Sequence, residues 1–337
     1  MRLLVTGGAG YIGSHVCLAL LDAGHEVTIV DSFINSVPAN IEAITEAAGR
    51  KLVCIKADIR DVSRIRKTFG SSRFDGVLHL AALKSVPESI GHPEQYQDVN
   101  ERGTAVLLKE TLHAGVSCFV FCSSAAVYGA QNGAPLLETD TPAPSTPYAQ
   151  SKWAAEQLLQ ETASTHPGFR VCSLRCFNPI GSHPSARFAR RQDLPLDLLT
   201  NVLLARHTGS PVDIYGMDYP TSDRTAVRDF IHVMDVADGC VAAVSFLTTK
   251  TTESAESATT FNLGSGRGCS VLNLIETTKR VGAKAISWRQ KARRTGDIAV
   301  SVADTQFSAA TLNWQARRSL EEGCADALRS FERTLLR

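Results

Sequence analysis

At 337 residues, 44% apolar and 20% charged, the chain is long enough for a sizeable core and two domains. Its 35 basic and 34 acidic residues leave a net charge of +1, which excludes charge-driven binding of nucleic acid or of an anionic membrane surface. No apolar run reaches the about 18 residues of a membrane span. The opening "MRLLVTGG" turns to glycine before a signal-peptide core forms, so a cytoplasmic location is the expectation. The nine cysteines lie mostly inside apolar segments without metal spacing, and read as reduced core residues with no metal. Cys118 and Cys122 would share a strand face about 13 Å apart, beyond disulfide reach.

"RLLVTGGAGYIGSHVCLALLDAGHEVTIVD" runs from a β-branched strand through a glycine turn into a helix with Val16, Ala19, Leu20 and Ala23 on one face. Gly24 closes the helix, and "EVTIVD" is a buried strand ending on an acid. Such a βαβ unit brings backbone amides and the positive end of a helix up to a pyrophosphate. The glycines Gly7, Gly10 and Gly13 are spaced G-x-x-G-x-x-G. Asp31 stands where a carboxylate bonds a ribose 2′-hydroxyl and repels a 2′-phosphate, favouring NAD over NADP; the lesser alternative is a strand-end cap.

The alternation continues. "KLVCIKAD" and "GVLHLAAL" read as strands, Pro93 to Ala114 as one long helix, "CFVFCSS" as a strand, Tyr148 to about Thr165 as a helix and "RVCSLRC" as a strand. The fold expected is α/β, a Rossmann doubly wound parallel sheet with a smaller mixed α/β substrate-binding domain. Residues 1–177 form the NAD-binding part, with a return segment at about 228–262. Residues 178–227 and 263–337 form the second domain. Asp58, Ala82, Lys84, Ser124 and Asn178 fall at or just past strand ends, where such sheets bind ligands, and Asn100 lies in the long helix.

"PYAQSK" sets Tyr148 and Lys152 four apart, on one helix face. An ammonium beside a phenol stabilises the phenolate and draws it toward use as a base. By itself the pair reads as an exposed tyrosine beside a solvated lysine, since such pairs are common on amphipathic helices. His79 and His232, inside apolar strands, read as satisfied core histidines. The C-terminal "SLEEGCADALRSFERTLLR" reads as an amphipathic helix packed within its domain.

Together "TGGAGYIGSH", "DSFINS", "KADIRD", "HLAALKSVPES", "SSAAVYG", "PYAQSK", "LRCFNPIGSHPS", "DYPTSDRTAVRDFIHVMD" and "FNLGSGRG" resemble, in order and over nearly the whole chain, the extended short-chain dehydrogenases/reductases, specifically the UDP-glucose 4-epimerase group. The resemblance implies NAD as cofactor, a UDP-hexose as substrate and a homodimer. It implies Ser124, Tyr148 and Lys152 as catalytic, the tyrosine taking the sugar 4-hydroxyl proton. The cofactor contacts implied are Gly7, Gly10, Tyr11, Ile12, Gly13, Asp31, Asn35, Ser36, Asp58, Ile59, Ala81, Ala82, Lys84, Asn100 and Phe177, besides Tyr148 and Lys152. On the substrate side it implies Lys84, Ser124, Tyr148, Asn178, Asp197, Tyr215, Arg228, Arg294, Asp297 and Ser301, with Tyr215 stacking on uracil and the arginines clamping the diphosphate. Related dehydratases carry an Asp-Glu pair where Ala125 and Ala126 stand here, which places dehydration below epimerisation.

Several positions depart from the pattern. Asp197 replaces an amide donor near the diphosphate, glycines expected at Arg224 and Ala226 are absent, and Phe230 stands where tyrosine is common. The loop Arg187 to Asp193 carries three arginines that read as a solvated run. Ser301 takes the place of a bulky tyrosine that narrows the sugar pocket in some epimerases, implying room for UDP-GlcNAc and UDP-GalNAc.

Overall fold

The computed structural model describes residues 1–131, 135–185, 188, 197–249, 257–294 and 296–335. Most of the arginine-bearing loop before Asp197 lies outside them.

The first half alternates strand and helix. In chain order come β1 (Arg2–Thr6), α1 (Tyr11–Asp22), β2 (Glu26–Asp31), α2 (Ala39–Ala48), β3 (Val53–Lys56), α3 (Val62–Ser71) and β4 (Gly76–His79). There follow α4 (Val86–Gly91), α5 (Pro93–Tyr96), α6 (Gly103–His113), β5 (Cys118–Ser124), α7 (Pro147–Thr165) and β6 (Arg170–Cys176). The second half holds β7 (Asn178–Ile180), α8 (Leu198–Thr208), β8 (Val212–Tyr215), β9 (Val227–His232), α9 (Val233–Thr249) and β10 (Ala258–Leu263). It ends with β11 (Gly268–Ser270), α10 (Val271–Gly282), β12 (Trp288–Lys291), β13 (Val300–Ser301), α11 (Gln306–Leu312) and α12 (Leu320–Leu335).

A seven-stranded sheet in the order β10-β6-β5-β4-β1-β2-β3 is parallel throughout. Its order reverses between β1 and β4, so the crevice opens above the carboxyl ends of those strands. Both faces are covered. One apolar layer joins the sheet to α1 and α9 through Val16, Leu20, Val236 and Val244, and the other joins it to α3, α6 and α7 through Ile65, Leu107 and Leu159. Buried on both sides, the strands need continuous apolar runs rather than alternation, as "LLV" and "CFVF" supply.

A smaller sheet pairs β11, β9 and β13, with β7 beside β9, and β8 pairs with β12. β9, at the head of the expected return segment, belongs to this smaller sheet. α9 packs on α1, β5 and β6, and β10 extends the large sheet beside β6. Helix α12 seats Cys324 and Leu328 in a core shared with α8, β9 and α10.

The long helix expected over Pro93 to Ala114 is interrupted. Between α5 and α6, Gln97–Arg102 winds as a π-helical turn. Gly103 lets the helix close on Ile59, since a Cβ there would lie 2.6 Å from Ile59 Cδ1. Both strands before it are shorter than expected: after His79 the chain leaves the sheet to form the wall of the crevice.

Candidate active site

A cleft of 1310 Å³ lies between the strand ends of the large sheet and the small sheet. All the predicted site residues line it except Asn100. Buried in the π-helical turn, Asn100 accepts from Leu83 N at 2.8 Å and donates to Leu83 O at 3.0 Å and Ser151 Oγ at 3.0 Å. Its amide pins the loop carrying Ala82 and Lys84.

The glycine turn has the shape a dinucleotide needs. Gly7 has φ +72°, and a Cβ on it would lie 2.6 Å from Ala81 N; a Cβ on Gly13 would lie 2.0 Å from Gly7 O. Side chains here would fill the approach to the N-terminus of α1, whose first turn carries no acid to compete with a pyrophosphate. Asp31 is both cap and wall. Its Oδ2 accepts from Ala9 N at 2.9 Å, and its Oδ1 accepts from Phe33 N at 2.9 Å and Ser36 Oγ at 2.8 Å. The carboxylate thus ties the glycine turn to the end of β2 while lining the cleft with Asn35 and Ser36. Asp58 accepts from Arg60 Nη2 at 2.6 Å, which holds its carboxyl below the usual range. Tyr11 and Ile12 open α1 along the same wall, and the Tyr11 hydroxyl donates to Gly181 O at 2.7 Å.

Thr146 caps α7 by accepting from Ala149 N at 3.3 Å, and Pro147 follows at the first helical position. This start aims Tyr148 and Lys152 together at the end of β5. Lys152 is 4% exposed; its Nζ donates to Cys122 O at 2.8 Å and lies 4.7 Å from the Phe121 ring centroid. Burial pushes its pKa down, opposed by Cys122, Cys176 and Glu156. Burial pushes the Tyr148 phenol up, and the hydrogen bond from Ser124 pulls the other way. The Lys152 ammonium is turned to the Cys122 carbonyl, and a positive charge brought into the cleft would draw the phenol toward use as a base. Phe177 and Asn178 continue from β6 beside this group.

Across the cleft, β9 places Arg228 next to Ser301 of β13 in parallel register. Arg228 Nη1 donates to Val227 O at 2.9 Å, and its Nη2 lies 4.0 Å from Asp297 Oδ1. Arg294 donates to Asp297 at 2.9 and 3.3 Å and stands 4.8 Å from the Tyr215 ring centroid. Asp297 is thus the anchor that holds both cations at the cleft rim. Asp197 is the N-cap of α8, accepting from Thr200 N at 3.0 Å and Thr200 Oγ1 at 3.0 Å. Its carboxylate serves the helix, which softens the repulsion expected from it. Arg224 adopts φ 67°, the left-handed conformation that explains the glycine expected there. Ser301 is 7% exposed and reaches the cleft.

His79 is satisfied between Thr6 Oγ1 at 2.7 Å and Thr104 Oγ1 at 3.0 Å, and His232 by Asp326 at 3.2 Å. Some contributors had no separate place in the sequence-based site. Thr146 had a local signal, threonine before proline at a helix start. Arg60 had none, because its partners Asp58 and Asp98 meet only through the fold.

With a dinucleotide cradle on one wall and paired arginines on the other, the chain has the build of a Rossmann enzyme that works on a phosphorylated ligand. Residues 3–264 match the NAD dependent epimerase/dehydratase family, and the chain belongs to it. It is similar to the UDP-glucose 4-epimerase of Bacillus subtilis (strain 168), 38% identical over 331 residues, covering 98% of this chain and 96% of that one. It also resembles the crystal structure of UDP-glucose-4-epimerase from Stenotrophomonas maltophila with bound NAD and formylated UDP-arabinopyranose. That match has a TM-score of 0.95 and 41% identity over 100% of both chains. A Bifidobacterium longum UDP-glucose 4-epimerase in complex with NAD+ and UDP gives a TM-score of 0.94 at 34% identity, covering 99% of each.

Proposed function

We propose that the protein is an NAD-dependent isomerase, a 4-epimerase that interconverts UDP-glucose and UDP-galactose, and UDP-GlcNAc and UDP-GalNAc, through a transient 4-keto sugar. The observation that carries this is Ser124, Tyr148 and Lys152 gathered on the cleft floor, with only the methyl groups of Ala125 and Ala126 after Ser124. Proton transfer is thereby confined to one centre, as epimerisation requires and dehydration does not.

Gly7, Gly10, Gly13, Asp31 and Ala81 would hold NAD, which when bound supplies a reversible hydride acceptor and, oxidised, a positive charge. Tyr148 takes the 4-hydroxyl proton and returns it, with Ser124 holding the 4-oxygen. Lys152 keeps a donor and a positive charge beside them. Arg228 and Arg294 bind the diphosphate, Tyr215 the base, and Asn178 and Lys84 the sugar end. The NAD-binding part comprises residues 1–177 with the return of α9 and β10, and the rest binds substrate. Assembly as a homodimer in the cytoplasm belongs to the same proposal; light scattering of the purified protein tests the dimer.

The deciding experiment incubates the purified protein with UDP-Glc, UDP-Gal, UDP-GlcNAc and UDP-GalNAc separately and resolves the products. Stoichiometric NADH or carbon dioxide would point to an oxidase or decarboxylase, loss of water to a 4,6-dehydratase, and cofactor binding without conversion to a sensor. The acetylated substrates rest on Ser301. Ser301→Tyr should abolish their turnover and spare the hexoses, and equal loss of both rejects the gate.

A further inference from the structure

Glu156 sits one helical turn after Lys152 on α7 and is fully buried. Arg175, on β6, is 3% exposed and donates to it from Nη2 at 2.9 Å and from Nε at 3.2 and 3.3 Å. Ser123 Oγ donates to the same carboxylate. Ser123 lies between Cys122, whose carbonyl holds Lys152, and Ser124, and it pairs with Arg175 in register. The guanidinium is packed 4.7 Å from the Tyr128 ring centroid and donates to Glu138 O at 3.2 Å. One carboxylate therefore ties together the two elements that carry Ser124, Tyr148 and Lys152, the end of β5 and α7, and the neighbouring end of β6.

Stability does not explain such a pair. Replacing a buried ion pair by packed apolar groups is commonly neutral or stabilising, whereas losing one partner is costly. What apolar groups cannot supply is a fixed geometry and a negative charge. Around Lys152 stand Glu156 on its own helix, Cys122 on β5, Cys176 on β6 and His79 on β4. Cys122 and Cys176 are neighbouring thiols with sulfurs 3.6 Å apart, and burial keeps His79 neutral, so Glu156 is the carboxylate in this set.

We propose that Glu156 and Arg175 are positioning residues, locking Tyr148 and Lys152 against Ser124. The pair acts through Lys152 and touches no substrate; the proposal rests on the epimerase function above.

The test compares the holoenzyme with Glu156→Gln and with the double variant E156Q/R175M. It reads the melting temperature, kcat and KM for the nucleotide sugar, and the ultraviolet titration of the Tyr148 phenolate against Tyr148→Phe. The double variant should melt within a few degrees of wild type. Its kcat should fall about tenfold with KM little changed, and its phenolate should titrate about one pH unit higher, because a displaced Lys152 supports the phenolate less. Wild-type kcat in the double variant, or a phenolate titrating at the wild-type pH, overturns the proposal. Should the double variant not fold, the same titration on Glu156→Gln decides. A wild type that interconverts no sugar defeats the proposed function, and the phenolate titration then still judges the ion pair.

Discussion

Along the ends of β1 and β4 the cleft wall is main chain packed so tightly that a Cβ on Gly13 would lie 2.0 Å from a carbonyl oxygen. Across from it, Arg228, Arg294 and Tyr215 project from three separate segments, steadied by one another and by Asp297. The first wall tolerates almost no change, because backbone cannot repack. The second, built from Asp197, Ser301 and these side chains on separate segments, can be exchanged one residue at a time. On the proposed function, rigid recognition of the cofactor and adjustable recognition of the substrate would fall on opposite sides of one cleft.

The comparison can be broken at several points. Tyr148→Phe should lower kcat about a thousandfold while leaving the fold and cofactor content intact; steady-state kinetics beside the bound-NAD absorbance checks this, and near-normal turnover removes Tyr148 from the chemistry. Gly13→Ala should cost about 3 kcal/mol of stability and empty the cofactor site, seen in denaturant unfolding and NAD titration. Unchanged NAD affinity would show the cofactor wall to be softer than its packing implies.

The substrate wall should answer more gently. Arg224→Gly relieves a left-handed non-glycine residue and should raise stability by about 1 kcal/mol, read as a shift in urea midpoint with activity unchanged. Asp197→Asn keeps the α8 cap, since asparagine caps as well as aspartate, yet removes a negative charge from the cleft. KM for the nucleotide sugar should fall about threefold. A rise in KM instead would mean that the carboxylate itself holds the substrate.

The catalytic pair shows how far the sequence could be read. The four-residue spacing of Tyr148 and Lys152 put both on one face, and the fold aims that face at Ser124. The charge relation was not legible. Lys152 turns its ammonium to the Cys122 carbonyl, and burial, a property of the whole packed sheet, pushes the phenol up. Asn100 was placed in one long helix, where the chain instead winds a π-helical turn that ties its amide to Leu83.

Periodicity, glycine spacing and strand-end acids were sufficient by themselves to point to the βαβ build and the parallel sheet, because alternating strands and helices leave few ways for the strands to pair. Only the tertiary structure decided that β9 leaves the large sheet, that Asp297 anchors two arginines, and that Glu156 and Arg175 meet one helical turn beyond Lys152. Those outcomes turn on burial and on pairings between distant segments, and neither exists until the chain has folded.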